Sequence, residues 1–186
     1  MTETSSIETC ITTLRNGGVI AYPTEGVWGL GCDPRDEKAV LRLLALKQRD
    51  VAKGLILIAA SEAQLADCID LSTLDADRIA AIRASWPGPN TWIVPASKHA
   101  PRWITGSHEG IAVRVTAHPV VIALCEQFGH ALVSTSANIA SQPAPRSRAE
   151  LDPRLLAGVD ALADGETTGL AQPTTIRDAR TGQTLR

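Results

Sequence analysis

Two cations, Lys47 and Arg49, stand two residues apart where the apolar stretch Leu43-Leu44-Ala45-Leu46 stops, with Lys53-Gly54 just beyond. Lys offers a compact charge and Arg a planar fork, a pair that suits a nucleotide phosphate beside a carboxylate. The same two residues would also suit the negative end of a helix dipole, so their meaning depends on what converges with them. Thr24 follows a candidate strand at Val19-Ile20-Ala21-Tyr22, Arg114 lies in or near the end of another at Ile111 to Val115, and Ser134, Ser136 and Asn138 follow a third at Ala131-Leu132-Val133. In open α/β sheets ligands gather beyond strand ends, and short hydroxyls and an amide beside backbone N–H groups suit phosphate oxygens. From the residues alone two alternatives stay open: Ser134 to Asn138 as a capped turn, and Arg114 as the partner of a surface acid. They point no further than an anion-handling α/β domain whose reaction is open.

The elements that must position these groups can be read from periodicity. Ile7, Cys10, Ile11 and Leu14 share one helical face, and Gly17-Gly18 ends that helix. Pro23 closes the first strand, and the glycines from Gly26 to Gly31 predict a tight turn or strand where another group comes close to the backbone. Asp36 caps a helix that buries Val40, Leu43 and Leu44 and delivers Lys47 at its end. Leu55 to Ala59 is a continuous apolar run, the mark of a central strand covered on both faces. Ser61 with Gln64 reads as a capping box, and the segment around Ile79 and Ile82 as a helix. Trp86-Pro87-Gly88-Pro89-Asn90 punctuates the chain before a strand at Thr91 to Val94, residues 96 to 109 read as a polar surface loop, and Pro119 opens a helix bearing Val121, Ile122, Leu124 and Cys125. Ser141 to Arg148 is either a mobile lid or a plain loop, and short strands are expected at Ala161 to Ala163, at Thr174 to Ile176 and at the end of the chain. Strands alternating with helices, with no repeat and no composition break, predict one α/β domain over residues 1–186 with a mixed sheet.

Composition narrows the function classes. The chain of 186 residues has a net charge of −2, one Tyr and one Phe, which disfavours an RNA-binding sheet built on stacked aromatics. The cysteines, Cys10, Cys32, Cys68 and Cys125, are scattered, and His99, His108, His118 and His130 show no ligand spacing and read as surface or loop residues, so no metal site is expected. Neither a P-loop, nor a dinucleotide fingerprint, nor a nucleophile elbow occurs, and Ser134 and Ser136 have no recognisable His base. No apolar run is long enough to span a bilayer and the polar first residues do not form a secretory signal, so a reduced, cytoplasmic protein without a membrane partner is expected.

At these same positions the sequence resembles the YrdC-like family. Ala21-Tyr22-Pro23-Thr24-Glu25 with Gly29-Leu30-Gly31 is similar to its Pro-Thr-Glu-Thr signature, and Lys47-Gln48-Arg49 to its Lys-x-Arg motif. Trp86-Pro87-Gly88-Pro89, Ala112-Val113-Arg114-Val115 and Ser134-Thr135-Ser136-Ala137-Asn138 match further blocks in the same order, from about Gly17 to the C-terminus. Within that family it resembles the short bacterial members of TsaC type. The resemblance implies a single-domain, twisted mixed parallel/antiparallel sheet with surrounding helices and a concave, basic cleft. It implies a nucleotidyltransferase that makes threonylcarbamoyl-adenylate and pyrophosphate from L-threonine, bicarbonate and ATP. Partner proteins would then modify the adenosine beside the anticodon of tRNAs that read codons beginning with A.

The resemblance also implies residue roles. Lys47 and Arg49 would be catalytic and hold ATP phosphates together with Ser136, with Asn138 nearby. Ala144 would contact ATP through its backbone, and Arg186 would close over it. Thr24 and Arg114 would hold threonine, Arg114 by the carboxylate, with Ser134 and Thr174 as further threonine contacts. Mg²⁺ would ride on the ATP phosphates rather than in a protein cage. The chain departs from the family at Gly26, Trp28, Asp50 and Ala140-Ser141; Asp50 places a carboxylate beside the cations. The competing expectation is a non-catalytic RNA-binding module using Arg49, Lys53, Arg146 and Arg148 along an electrostatic path.

Overall fold

The computed structural model describes residues 3–170 and 174–185. Among the described residues eight strands form one mixed sheet: β1 (Ile20–Pro23), β2 (Trp28–Gly31), β3 (Ile56–Ala59), β4 (Asn90–Pro95), β5 (Gly110–Val115), β6 (Leu132–Ser136), β7 (Ala161–Leu162) and β8 (Thr175–Asp178). Their order across the sheet is β7-β1-β2-β6-β3-β5-β4-β8. β3 runs parallel to β5 and antiparallel to β6, which places the apolar run at the centre as expected.

Six α-helices are described: α1 (Ile7–Arg15), α2 (Glu37–Lys47), α3 (Ala76–Ala84), α4 (Arg102–Thr105), α5 (Pro119–Phe128) and α6 (Pro153–Leu156). Local chemistry sets their ends. The Ser6 hydroxyl accepts from the Thr9 N–H to start α1, Asp36 accepts from Lys38 and Ala39 to start α2, and Pro119 occupies the first turn of α5. Gly129, in the left-handed region at φ 88°, ends α5.

Two apolar layers sandwich the sheet unequally. On one face Ala21, Leu30, Leu57, Val113 and Val133 meet the buried sides of α2, α3 and α4. On the other, Ile20, Tyr22, Ile58 and Leu132 meet α1 and α5. Those two helices cover one end of that face and leave the other end open.

Three expectations need correction. Residues 96–109 are more than a polar loop: they contain α4, whose Ile104 and Thr105 are buried. Ser61 makes no cap bond to the 3-10 turn Glu62–Leu65; Gln64 instead accepts from the Ala60 N–H at 2.9 Å, one residue short of a capping box. His118 is buried rather than superficial, because it sits where β5 feeds into α5. At the end of the chain Thr184 makes a single bridge to Arg177, and Arg186 lies outside the described residues.

The glycine run has a packing cause. A Cβ on Gly31 would lie 2.5 Å from the Val133 carbonyl and 2.7 Å from the Tyr22 ring. Neither neighbour is a flexible side-chain tip. Gly31→Ala is therefore expected to destabilise the fold by about 1–3 kcal/mol, the usual cost of overpacking. Urea unfolding should show a lower midpoint at unchanged slope.

Candidate functional site

The open end of the second sheet face is a cleft of about 600 Å³. Its floor is a row of paired residues running across five strands. Ser134 of β6 faces Ile56 of β3, Ile56 faces Ala112 of β5, Ala112 faces Ile93 of β4, and Ile93 faces Asp178 of β8. Gly29, paired with Ser136, extends the floor on β2. Strand alternation puts Arg114, two residues beyond Ala112, on the same side. The walls come from Thr24 and Val27 on the β1–β2 turn, Arg49 to Leu55 before β3, and the Ile104 to Glu109 segment. Arg49, Lys53, Arg114 and Arg180 line it, against the carboxylates of Glu109 and Asp178, so cations predominate.

Of the expected site residues, Thr24, Arg49, Arg114, Ser134, Ser136 and Thr174 come together in this cleft. Ser134 and Ser136 do so differently from expectation. They do not follow a strand end; β6 continues through Ser136, and both are held in ladder pairing with Ile56 and Gly29. The strand outlasts its apolar pattern because its last residues face the open cleft, where hydroxyls are tolerated.

Lys47 also departs from expectation. It is buried at 2 % exposure, and its ammonium donates to the carbonyl oxygens of Ser136 and Asn138, the latter at 2.7 Å. Its own carbonyl accepts from the Ala140 N–H at 2.9 Å. Lys47 thus clamps the chain leaving β6 to the end of α2, behind the cleft wall rather than on it. Asn138 belongs to the same knot: its amide nitrogen donates to Gln142 at 2.6 Å. Neither Asn138 nor Ala144 lines the cleft. The 141–148 segment is tied to β2, because the Pro145 carbonyl accepts from the Trp28 N–H at 2.8 Å.

The split between the two cations is made at Gln48. It adopts a left-handed conformation at φ 52°, which a non-glycine residue takes only when the surroundings fix it. The chain turns there, Lys47 goes inward, and Arg49 reaches the cleft while donating to the Gly54 carbonyl at 3.0 Å. Asp50 beside them is engaged as the cap of the turn Val51–Lys53, accepting from Ala52 at 2.8 Å.

Glu25 was not singled out among the sequence candidates. Its side chain and that of Arg114 are each 5 % exposed and lie 3.6 Å apart. The other carboxylate oxygen accepts from the Thr116 hydroxyl at 2.6 Å and the Ala117 N–H at 3.1 Å. Burial alone would raise the Glu25 carboxyl, but the Arg114 charge and these donors outweigh it and hold it below the usual carboxylate value. The only sequence signal for it was its place inside the Pro-Thr-Glu block.

The family model described as "Telomere recombination", for Sua5, YciO and YrdC proteins, matches residues 12–186. The chain therefore belongs to the Sua5/YciO/YrdC family. It is 59 % identical, over the whole of both chains, to the threonylcarbamoyl-AMP synthase of Xanthomonas campestris pv. campestris, and 60 % identical over the whole of both to that of Xanthomonas euvesicatoria pv. vesicatoria. Among solved structures it is similar to P. abyssi Sua5 complexed with L-threonine, at 32 % identity and a TM-score of 0.85, covering 92 % of this chain and 50 % of that one. A variant structure of the same Sua5 gives 30 % identity and a TM-score of 0.90, covering all of this chain and 60 % of the other.

Lys47 carries a pH signature. Desolvation, aided by the Arg49 charge, lowers its pKa to about 8 from the usual 10.5. Between those values the folded protein holds fewer protons than the unfolded chain, so Lys47 adds stability as pH rises through the window and loses it as pH falls through about 8. The stability of the wild type relative to Lys47→Met should therefore rise from pH 8 to 10.5 in chemical denaturation. A flat difference would mean that the ammonium is not desolvated as described.

Proposed function

We infer that this chain is a threonylcarbamoyl-AMP synthase acting in its sheet-end cleft, a nucleotidyltransferase using L-threonine and ATP. The observation that carries the reading is the convergence of Arg114, Thr24, Ser134 and Arg49 on one open strip of sheet, in a chain so similar end to end to synthases of that name.

Arg114 is the proposed holder of the threonine carboxylate, since a guanidinium matches a carboxylate fork. The Thr24 hydroxyl donates to the Val27 carbonyl at 2.7 Å, so its oxygen is oriented as an acceptor for the amino acid's own donors. Ser134 and Thr174 complete that end of the cleft. Arg49 and the Ser136 hydroxyl are proposed to meet the phosphates, and Lys53 adds positive charge at the rim. Lys47 supports them from behind by fixing the Ser136–Asn138 carbonyls, and its charge lies close enough to Ser136 to act on the same phosphates. Ala144, which the cleft lining does not include, and Arg186, which lies outside the described residues, are proposed as further ATP contacts.

In the proposed reaction the threonine amine attacks carbon dioxide with loss of a proton, or bicarbonate with loss of water, giving a carbamate. A carbamate oxygen attacks the α-phosphorus of ATP, and pyrophosphate leaves. No covalent enzyme intermediate is needed, and the protein contributes positioning and charge stabilisation. Among the described residues no cluster of three or more His, Cys, Asp or Glu side chains is placed to cage a metal. Mg²⁺ is proposed to arrive on the ATP phosphates, where it would neutralise charge on the leaving pyrophosphate. The adenylate would pass to partner proteins that transfer the threonylcarbamoyl group to tRNA in the cytoplasm.

Pyrophosphate release by the purified protein, with ATP, Mg²⁺ and bicarbonate, is expected to require L-threonine. Lys47→Ala should lower kcat/KM by a factor equivalent to ~2–4 kcal/mol, as for loss of one preorganised charge donor. No threonine-dependent release from folded protein, together with tight RNA binding that weakens steeply with salt, would favour the RNA-binding alternative.

A further inference from the structure

The site described above leaves one buried carboxylate without a part in the chemistry. Glu25 sits directly after Thr24 and holds three segments together: its own turn, the end of β5 and the stretch from Thr168 to Leu170. Its side chain accepts from Thr116 and Ala117 at the end of β5 and faces Arg114 at 3.6 Å. Its backbone carbonyl accepts from the Thr168 hydroxyl at 3.1 Å and the Leu170 N–H at 3.2 Å. Thr116 in turn accepts from the His118 N–H at 3.0 Å, and the His118 ring donates to the Glu166 carbonyl at 3.0 Å.

The geometry of the pair matters. An N–O distance of 3.6 Å is an ion pair but not a hydrogen bond. Glu25 therefore compensates the buried charge of Arg114 at a distance too long for a hydrogen bond between those two atoms. The oxygen facing Arg114 is itself buried and makes no hydrogen bond, whereas the other oxygen is fixed by two donors. A carboxylate pinned on one oxygen and facing a guanidinium with the other sets the orientation of that guanidinium. It also keeps a buried cation tolerable before any ligand arrives.

We propose that Glu25 is a positioning residue for L-threonine: it orients Arg114 from beneath so that the fork meets the substrate's α-carboxylate, and it does not touch the nucleotide. This rests on the synthase reading above. It makes Glu25 a determinant of threonine affinity alone. Substrate binding then places a second carboxylate on the far side of one guanidinium, and Thr116 and Ala117 keep the first from drifting toward it.

The test uses the full chain and the pyrophosphate assay. Glu25→Gln keeps an acceptor for Thr116 and Ala117 and removes the charge facing Arg114. Its KM for L-threonine should rise by about tenfold or more while its KM for ATP stays within about twofold, with kcat at saturating threonine little changed. Glu25→Asp, which keeps the charge but shortens its reach, should fall between. A merely structural role would lower the active fraction, and so kcat, and leave both KM values alone. Should Glu25→Gln not fold, Thr116→Val decides: loss of the donor that pins Glu25 should raise the threonine KM by about threefold and spare that for ATP. An unchanged threonine KM, or equal rises for threonine and ATP, would overturn the proposal. Absence of threonine-dependent release from the wild type would instead overturn the synthase reading on which it stands.

Discussion

A wide sheet has two faces to bury, and among the described residues helices pack on both, on the second over one end only. α1 and α5 close over Ile20, Tyr22, Ile58 and Leu132 and extend no further. Beyond them the same face carries Ser134, Ile56, Ala112, Ile93 and Asp178 in ladder register. The backbone there is satisfied by strand pairing, so the open strip needs no helix to stay ordered. Small and polar side chains on a rigid floor are the result. Positions on strands hold geometry better than positions on loops, which is what a reaction run by positioning requires.

The charges around that floor are held by the backbone as much as by each other. Lys47 uses two carbonyl oxygens, Arg49 uses that of Gly54, and Glu25 accepts from the Ala117 N–H. Lys47 and Arg49 are thereby held by neutral carbonyl oxygens, which leave their charge to act on an anionic ligand. Arg114 is the case where burial demands a counter-charge, and Glu25 supplies it at a distance too long for a hydrogen bond. Burying such a pair gains little stability in itself; its value lies in orientation.

Much of this was legible in the sequence because it is local. The caps at Asp36 and Pro119, the apolar face of α2, the central run of β3 and the cation spacing at its entrance all follow from short-range patterns. The five blocks pointed to the family, and Thr24, Arg49, Arg114, Ser134, Ser136 and Thr174 line one cleft. What escaped depends on long-range pairing. Nothing near Ser134 says that β6 continues through Ser136; its partners Ile56 and Gly29 are distant in the chain. Lys47 turns inward because Gln48 takes a left-handed conformation, which its residue type does not announce. The stretch from Thr105 to Glu109 looked like solvent-facing loop because its polar residues line a cleft, and composition cannot separate those two kinds of wetness.

Both substrates are proposed to occupy the uncovered strip. Ala112 lies in the middle of its floor, half-buried, and lines the cleft. The most direct test is calorimetric binding to Ala112→Phe, with ATP and then with L-threonine in the presence of a non-reactive ATP analogue. The account predicts a folded protein of near wild-type thermal midpoint that has lost affinity for both ligands by at least about two orders of magnitude, since a ring there fills the space between their sites. Wild-type affinity for either ligand in a folded Ala112→Phe protein would place that ligand elsewhere and contradict the account.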